Sequence, residues 1–267
     1  MEPGTRLPEA GAQIGDWRRR RRLSQLELAL DAGVSTRHLS FVETGRSRPG
    51  RDLVLRLLEC LEVPYRERNR VLLLAGHAPA FPERSLDHPE LQPVRQALEM
   101  ILTRHDPYPA VVIDRSWNFV TANQAMWRLT GSTEVDPSLL VEPINILRLG
   151  LHPRGLAPMM VNLAEWRSHF RERVARQVAL TGDVELAALG KEIDGYPAAG
   201  EDAETRHGEV LGPLKIRDGD GQVLSFFGMF ATFDTPFELL TSELGIELLF
   251  PADEPTAESL NAGGVPG

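Results

Sequence analysis

The stretch SQLELALDAGVSTRHLSFVETG, Ser24 to Gly45, decides how the first part of this 267-residue chain is read. Ser24 and Glu27 have the spacing of a capping box, so a helix opens there and Gly33 ends it. Ser35 caps the next helix, in which Leu39 and Val42 share one face, and Gly45 closes it within about three turns. Two short helices joined by a glycine-bearing turn thus sit directly behind five consecutive arginines, Arg18 to Arg22.

Outward from this pair the same texture continues. Ile14, Trp17 and Leu23 mark an earlier helix, and Leu53, Leu57, Leu58 and Leu61 recur at helical spacing after Pro49-Gly50. Pro64 stops that helix, and Tyr65 to Ala75 suits a fifth. No alternating strand pattern occurs before Ala75, so this part reads as an all-α five-helix module.

The charge supports a division. The chain carries a formal -9 overall, yet residues 1–80 hold 14 Arg against 10 acids, net +4, and the remainder is net -13. Two parts with different partners follow from that asymmetry. Cys60 is the only cysteine and excludes an intramolecular disulfide, so a reducing cytoplasm is expected. No apolar run reaches the ~18 residues of a membrane span, and the acidic, proline-bearing start is unlike a secretory signal.

Residues 78–92 bring three prolines without any period, which reads as a linker between residues 11–77 and 93–253. Beyond it, Ala110 to Ile113 and Trp117 to Ala122 read as strands, and Asn123 to Thr130, Ile144 to Leu149 and Pro158 to Leu180 as helices. GPLKIRDGDGQVLSFFGMFATF and GIELLFPAD read as a hairpin and a final strand, so the second part is α/β (α+β) with a mainly antiparallel sheet. Residues 1–10 are expected to be flexible and 254–267 disordered.

The helix beginning at Ser35 presents Ser35, Thr36, Arg37 and His38 at the end that reads base edges when such a helix lies in a major groove. Arg37 suits a bidentate contact to guanine, and Ser40 and Phe41 follow one turn on, with Phe41 suited to a thymine methyl. Gln25 behind its cap, and Thr44, Arg46 and Arg48 after the helix, suit backbone phosphates. Arg19 to Arg22 suit either phosphate contact or a solvated helix face. The same bundle would also suit an interaction module without DNA.

Ile14 to Val63 resembles the Cro/CI-type (XRE) helix-turn-helix regulators: Gln after a cap, Leu-Ala, Ala-Gly-Val-Ser, a short recognition helix, then Glu-x-Gly before a basic, proline-containing loop. The resemblance implies double-stranded DNA as partner, and a structural ion pair between Arg18 and Glu43.

The second part shows no metal-ligand spacing among His105, His152, His169 and His207, and no catalytic motif, so neither enzyme nor cofactor is expected. Asp218 to Gln222 reads as a hairpin turn and not a calcium loop. Its excess of large apolar side chains includes Trp117, Met126, Trp127, Met159, Met160, Trp166, Phe170, Phe227 and Met229. Apolar residues on both faces of SFFGMFATF suit a sheet covered by helices with a cavity between. Asn123, Asn145, Arg148 and Asn162 lie inside apolar segments, where each needs a backbone, neighbour or ligand partner.

YPAVVIDRSWNFVTANQAM, INILRLGLHPRGLAPMMVNLAEW and FGMFATFDTPFELLTSELGIELLFPAD resemble the ligand-binding domain of MmyB-like transcription regulators. That resemblance implies a PAS-like fold with an apolar pocket of the kind that holds a fatty acid, with Arg148 as candidate for its carboxylate. The expectation is a cytoplasmic, homodimeric DNA-binding regulator sensing a small apolar ligand. Two alternatives stay open: a second domain that serves only dimerisation or docking, and a ligand carrier or enzyme with an attached DNA module.

Overall fold

The computed structural model describes residues 6–131, 134–197, 212–233 and 239–262. They form two compact units, residues 6–84 with 239–242 and the remainder.

The first unit consists of α1 (Arg6–Arg20), α2 (Gln25–Asp31), α3 (Thr36–Glu43), α4 (Arg51–Cys60) and α5 (Tyr65–Leu74). Its core contains Ile14, Leu28, Leu39, Leu57, Leu58, Leu61 and Leu72, all fully buried. Helix α1 begins inside the segment expected to be flexible, and Ala10 is already buried. Gly11 explains the order: a Cβ there would lie 2.1 Å from the Val42 carbonyl oxygen, so glycine lets α1 close onto α3. The start of the expected linker is likewise fixed. Asn69 accepts from the Ala80 and Phe81 amides (2.9 and 3.1 Å) and donates to Phe81 O (2.7 Å), while the Tyr65 and Phe81 rings lie 4.3 Å apart.

The second unit contains α6 (Gln92–His105), β1 (Ala110–Ile113), β2 (Phe119–Ala122), α7 (Gln124–Gly131), α8 (Ile146–Leu151), α9 (Leu163–Thr181), α10 (Val184–Asp194), β3 (Leu214–Arg217) and β4 (Val223–Thr232). After α11 (Leu239–Glu243), which lies at the boundary of the two units, follow β5 (Gly245–Pro251) and α12 (Glu254–Ala262). The sheet has the order β2-β1-β5-β4-β3 with every pairing antiparallel. Phe230 of β4 stands opposite Glu247 of β5, and Gly228 opposite Leu249. Gly228 and the side chains of Phe230 and Glu247 therefore share the face toward α9, and Phe227 and Met229 point the other way. At Asp218 to Gln222 the chain makes a turn in which the Asp218 carboxylate accepts from the Asp220 and Gln222 amides (3.0 and 2.8 Å).

Helices α10, α11 and α12 were not expected. Asp183 caps α10 by accepting from the Glu185 and Leu186 amides, and Leu186, Leu189 and Ile193 fix it in the core. The tail expected to be disordered forms α12 over residues 254–262. Asp253 accepts from the Thr256 amide (2.9 Å), and the fully buried Thr256 hydroxyl oxygen accepts from the Ser225 amide of β4 (2.9 Å). One buried hydroxyl thus docks a helix whose composition alone looks unstructured.

Thr256→Val keeps the shape but leaves the Ser225 N–H without an acceptor, so it is expected to destabilise the chain by about 1–3 kcal/mol in urea unfolding. Hydrogen exchange should then speed up at Ser225 and along α12 while β1 stays protected.

Candidate functional site

The reader unit is built from local capping chemistry. Ser24 accepts from the Glu27 amide (3.2 Å) while Glu27 accepts from the Ser24 amide (2.7 Å). Gly33, at φ +65°, turns the chain, and Ser35 accepts from the His38 amide (3.2 Å) to start α3. Leu39 and Val42 are buried, which leaves Thr36, Arg37, Ser40 and Phe41 toward the outer side. The Arg37 guanidinium lies 5.4 Å from the Phe41 ring centre, a contact that holds the arginine along the helix. Arg37, Arg46 and Arg48 are exposed and form no ion pair among the described residues.

Beneath α3 lies a charged fork. Arg18 Nε and Nη2 donate to the two oxygens of Glu43 (2.7 and 3.0 Å), and Arg18 Nη1 donates to Leu23 O (2.8 Å). Gln25 Nε2 donates to the same Glu43 carboxylate (2.8 Å). A Cβ at Gly15 would lie 3.3 Å from that carboxylate, so glycine again clears the space. Burial pushes the Glu43 carboxyl up, but the hydrogen bonds from Arg18 and Gln25, with the charges of Arg18 and Arg19, outweigh it and hold the group below its usual range.

Several residues expected at the DNA also make contacts within the reader. Gln25 commits one amide hydrogen to Glu43 and keeps a second. Thr44 donates its hydroxyl hydrogen to Ser40 O (2.7 Å), and Arg48 packs so closely over Gly76 that a Cβ there would meet its Nη2 at 2.6 Å. Arg21 donates to Leu61 O and Glu62 O (both 2.8 Å), closing the end of α4. Arg19 pairs with Asp16, and Arg20 lies over the Trp17 ring at 5.1 Å. The arginine run is therefore partly internal mortar.

In the second unit, α7, α8, α9 and the sheet line a half-open cavity of about 170 Å³. Met126, Trp127, Met159, Met160, Trp166 and Phe170 line it as expected, together with Val111, Phe119, Ile146, Leu149, Leu214 and Leu249. The other expected lining residues stand elsewhere. Trp117 sits behind Phe170, rings 5.9 Å apart, and donates to Gln177 Oε1 (3.0 Å). Asn123 is fully engaged with backbone, accepting from the Ala110 and Met126 amides (3.0 Å each) and donating to Tyr108 O (2.7 Å) and Leu102 O (3.3 Å). Asn145 caps α8 and donates to Ser116 O (2.7 Å). Asn162 donates to Pro213 O and accepts from the Lys215 amide (3.0 Å each).

Arg148 is no carboxylate anchor for this cavity. Its Nε and Nη2 each donate at 2.7 Å to Glu192, which also accepts from the Tyr196 hydroxyl (2.7 Å), and it does not line the wall. Phe227 and Met229 lie on the opposite strand face, 54% and 53% exposed.

Among the described residues the wall has one ionisable group, Glu247, which lay outside the expected site. Glu247 lines the cavity with its side chain 16% exposed. Arg173 Nη1 donates to its Oε2 (3.1 Å), and that guanidinium is held between the rings of Phe230 (3.9 Å) and Trp117 (4.5 Å). Burial raises the Glu247 carboxyl above its usual range, against the opposing charge and hydrogen bond of Arg173. Trp166 Nε1 and Arg173 Nη2 are buried without a hydrogen-bond partner among the described residues. The available signal was a lone acid in the apolar strand GIELLF. Among the described residues no group of three His, Cys, Asp or Glu is placed to hold a metal, and no helix is long and apolar enough to cross a membrane.

A bundle with a capped, outward-facing recognition helix, followed by a sheet-and-helix domain around an apolar cavity, defines a helix-turn-helix regulator with a ligand-binding domain. Residues 14–68 match a helix-turn-helix domain, and residues 94–262 match the MmyB-like transcription regulator ligand binding domain. The chain belongs to the MmyB-like transcription regulators, and it is a DNA-binding transcriptional regulator with a ligand-binding domain. It is 29% identical over 113 residues to the uncharacterized HTH-type transcriptional regulator RghRB of Bacillus subtilis, a match covering 42% of this chain and 79% of that protein. A solved RNA-binding light-oxygen-voltage receptor aligns at 15% identity and a TM-score of 0.30, covering 97% of this chain and 64% of that one.

Glu43→Ala leaves Arg18 buried without its partner and is expected to cost about 3–5 kcal/mol at neutral pH. Because the folded Glu43 titrates below its unfolded value, its contribution is present above the unfolded pKa, about 4.3, and is lost as pH falls through the folded one. Thermal unfolding of the two proteins should therefore converge in acid.

Proposed function

We propose that the chain works as a cytoplasmic homodimer which places α3 of each subunit in successive major grooves of a partly palindromic operator, and whose cavity takes a small apolar effector. One eight-residue helix reads only a few base pairs, so two-fold pairing on half-sites about 34 Å apart supplies the remaining specificity. Arg37 is the base-reading residue. Thr36, Ser40 and Phe41 complete the reading face, His38 borders it, and Ser35, Thr44, Arg46 and Arg48 meet phosphates at its margins.

The observation that carries the effector reading is the half-open apolar pocket walled by methionine and aromatic side chains in the same chain as a DNA reader. Its methionines adapt to shape, which suits a hydrocarbon body of the class to which fatty acids belong. No cofactor takes part. The effector needs only a differential affinity for two arrangements of the reader modules, and ~1–3 kcal/mol makes a usable switch.

Arg37→Ala should weaken specific binding by about 1–3 kcal/mol and relax one base position in a DNA-selection experiment. An equal loss on every sequence would mean that Arg37 meets only phosphate. Titrating medium-chain fatty acids and their neutral analogues into lipid-stripped protein should change operator affinity about 5- to 150-fold. Unchanged affinity and unchanged quaternary structure with all of them would contradict the effector reading.

A further inference from the structure

We propose that Glu247 is the specificity-determining residue of the cavity and that the effector presents a neutral hydrogen-bond donor, a hydroxyl or an amide N–H, to Glu247 Oε1. The inference rests on the effector reading above and names the chemical class of ligand. Glu247 is the ionisable group on a wall otherwise made of apolar side chains and Thr130, whose hydroxyl already donates to Met126 O (2.9 Å). Only one carboxylate oxygen is committed: Oε2 accepts from Arg173, and Oε1 accepts from nothing among the described residues.

The fold keeps room for that oxygen. Gly228 lies beside it on β4, and a Cβ there would come within 3.1 Å of Oε1 and 4.0 Å of Trp166 Cη2. Trp166 shares this wall, and its indole N–H is buried without an acceptor. A hydroxyl or amide N–H can donate to Oε1, whereas an ionised carboxylate only accepts. A carboxylate would also stand against the charge of Glu247, and Arg148, the cation expected to receive it, is occupied by Glu192. Arg173 neutralises Glu247 from behind, so a neutral head completes the site without adding a buried net charge.

The size of the cavity sets the probes. Its 170 Å³ is close to that of an engineered apolar cavity of about 150 Å³ that takes benzene, so six-carbon molecules are appropriate. Binding of 1-hexanol, its isomer methyl pentyl ether, and hexanoate to the lipid-stripped full chain is measured by tryptophan fluorescence and calorimetry. The expected result is that hexanol binds at least about tenfold tighter than either of the others, as a hydrogen bond to a charged group allows. In Glu247→Met/Arg173→Met, where both members of the pair become apolar and folding is retained, hexanol and the ether should bind equally.

If hexanoate or the ether matches hexanol in the wild-type chain, the proposal is overturned while the effector reading stands. A preference for hexanol that survives in the double variant overturns it as well. If none of the three probes binds, the proposal is overturned, and the fatty-acid titration of operator affinity alone decides the effector reading.

Discussion

The recognition helix is where it is because of a single carboxylate. Glu43, at the end of α3, receives two hydrogen bonds from Arg18 of α1 and one from Gln25 of α2, so three helices meet on one charge. Its side chain is 7% exposed and that of Arg18 12%, which makes the arrangement intolerant of losing either partner. Nearby glycines complete the constraint: Gly11 and Gly15 let α1 approach until backbone and carboxylate touch, and at Gly11 a Cβ would collide with the Val42 carbonyl of α3. With the inner side of α3 fixed in this way, Arg37 and Phe41 are presented by a rigid support, which is what base reading demands.

The ligand-binding domain has a second internal ion pair, with a different balance. In the reader, the hydrogen bonds around Glu43 outweigh its burial, and the group is a closed structural element. Around Glu247, which lines an apolar cavity, burial outweighs the single bond from Arg173, and one oxygen accepts from nothing among the described residues. A saturated buried charge holds a framework together, whereas an unsaturated one is suited to selecting a ligand.

Local spacing made most of the reader legible. Ser24 with Glu27, Gly33 and Ser35 act within four residues of themselves, and the structure shows each performing the turn or cap that its spacing implies. The bond from Gln25 to Glu43 carries no local signature because the two residues lie 18 apart. In the second domain the strands and the longer helices were readable from their periodicity. Helix α10 was hidden by the small and glycine-bearing segment AALGKEID, and α12 because its order depends on one buried threonine hydroxyl. The cavity was half legible: bulk and softness pointed to Met126, Met159, Met160 and Trp166, but strand parity, invisible without the register, sent Phe227 and Met229 to the other face. Glu247 and Arg173 are 74 residues apart, and no local pattern joins them.

The central claim is that α3 reads bases through the major groove from a support fixed by Glu43. Methylation interference on a selected operator tests it most directly. Guanine N7 lies in the major groove and adenine N3 in the minor groove, so the account predicts that N7 methylation at guanines in two half-sites one helical turn apart abolishes binding while N3 methylation is tolerated. Interference confined to adenine N3, or binding indifferent to methylation in either groove, would contradict it.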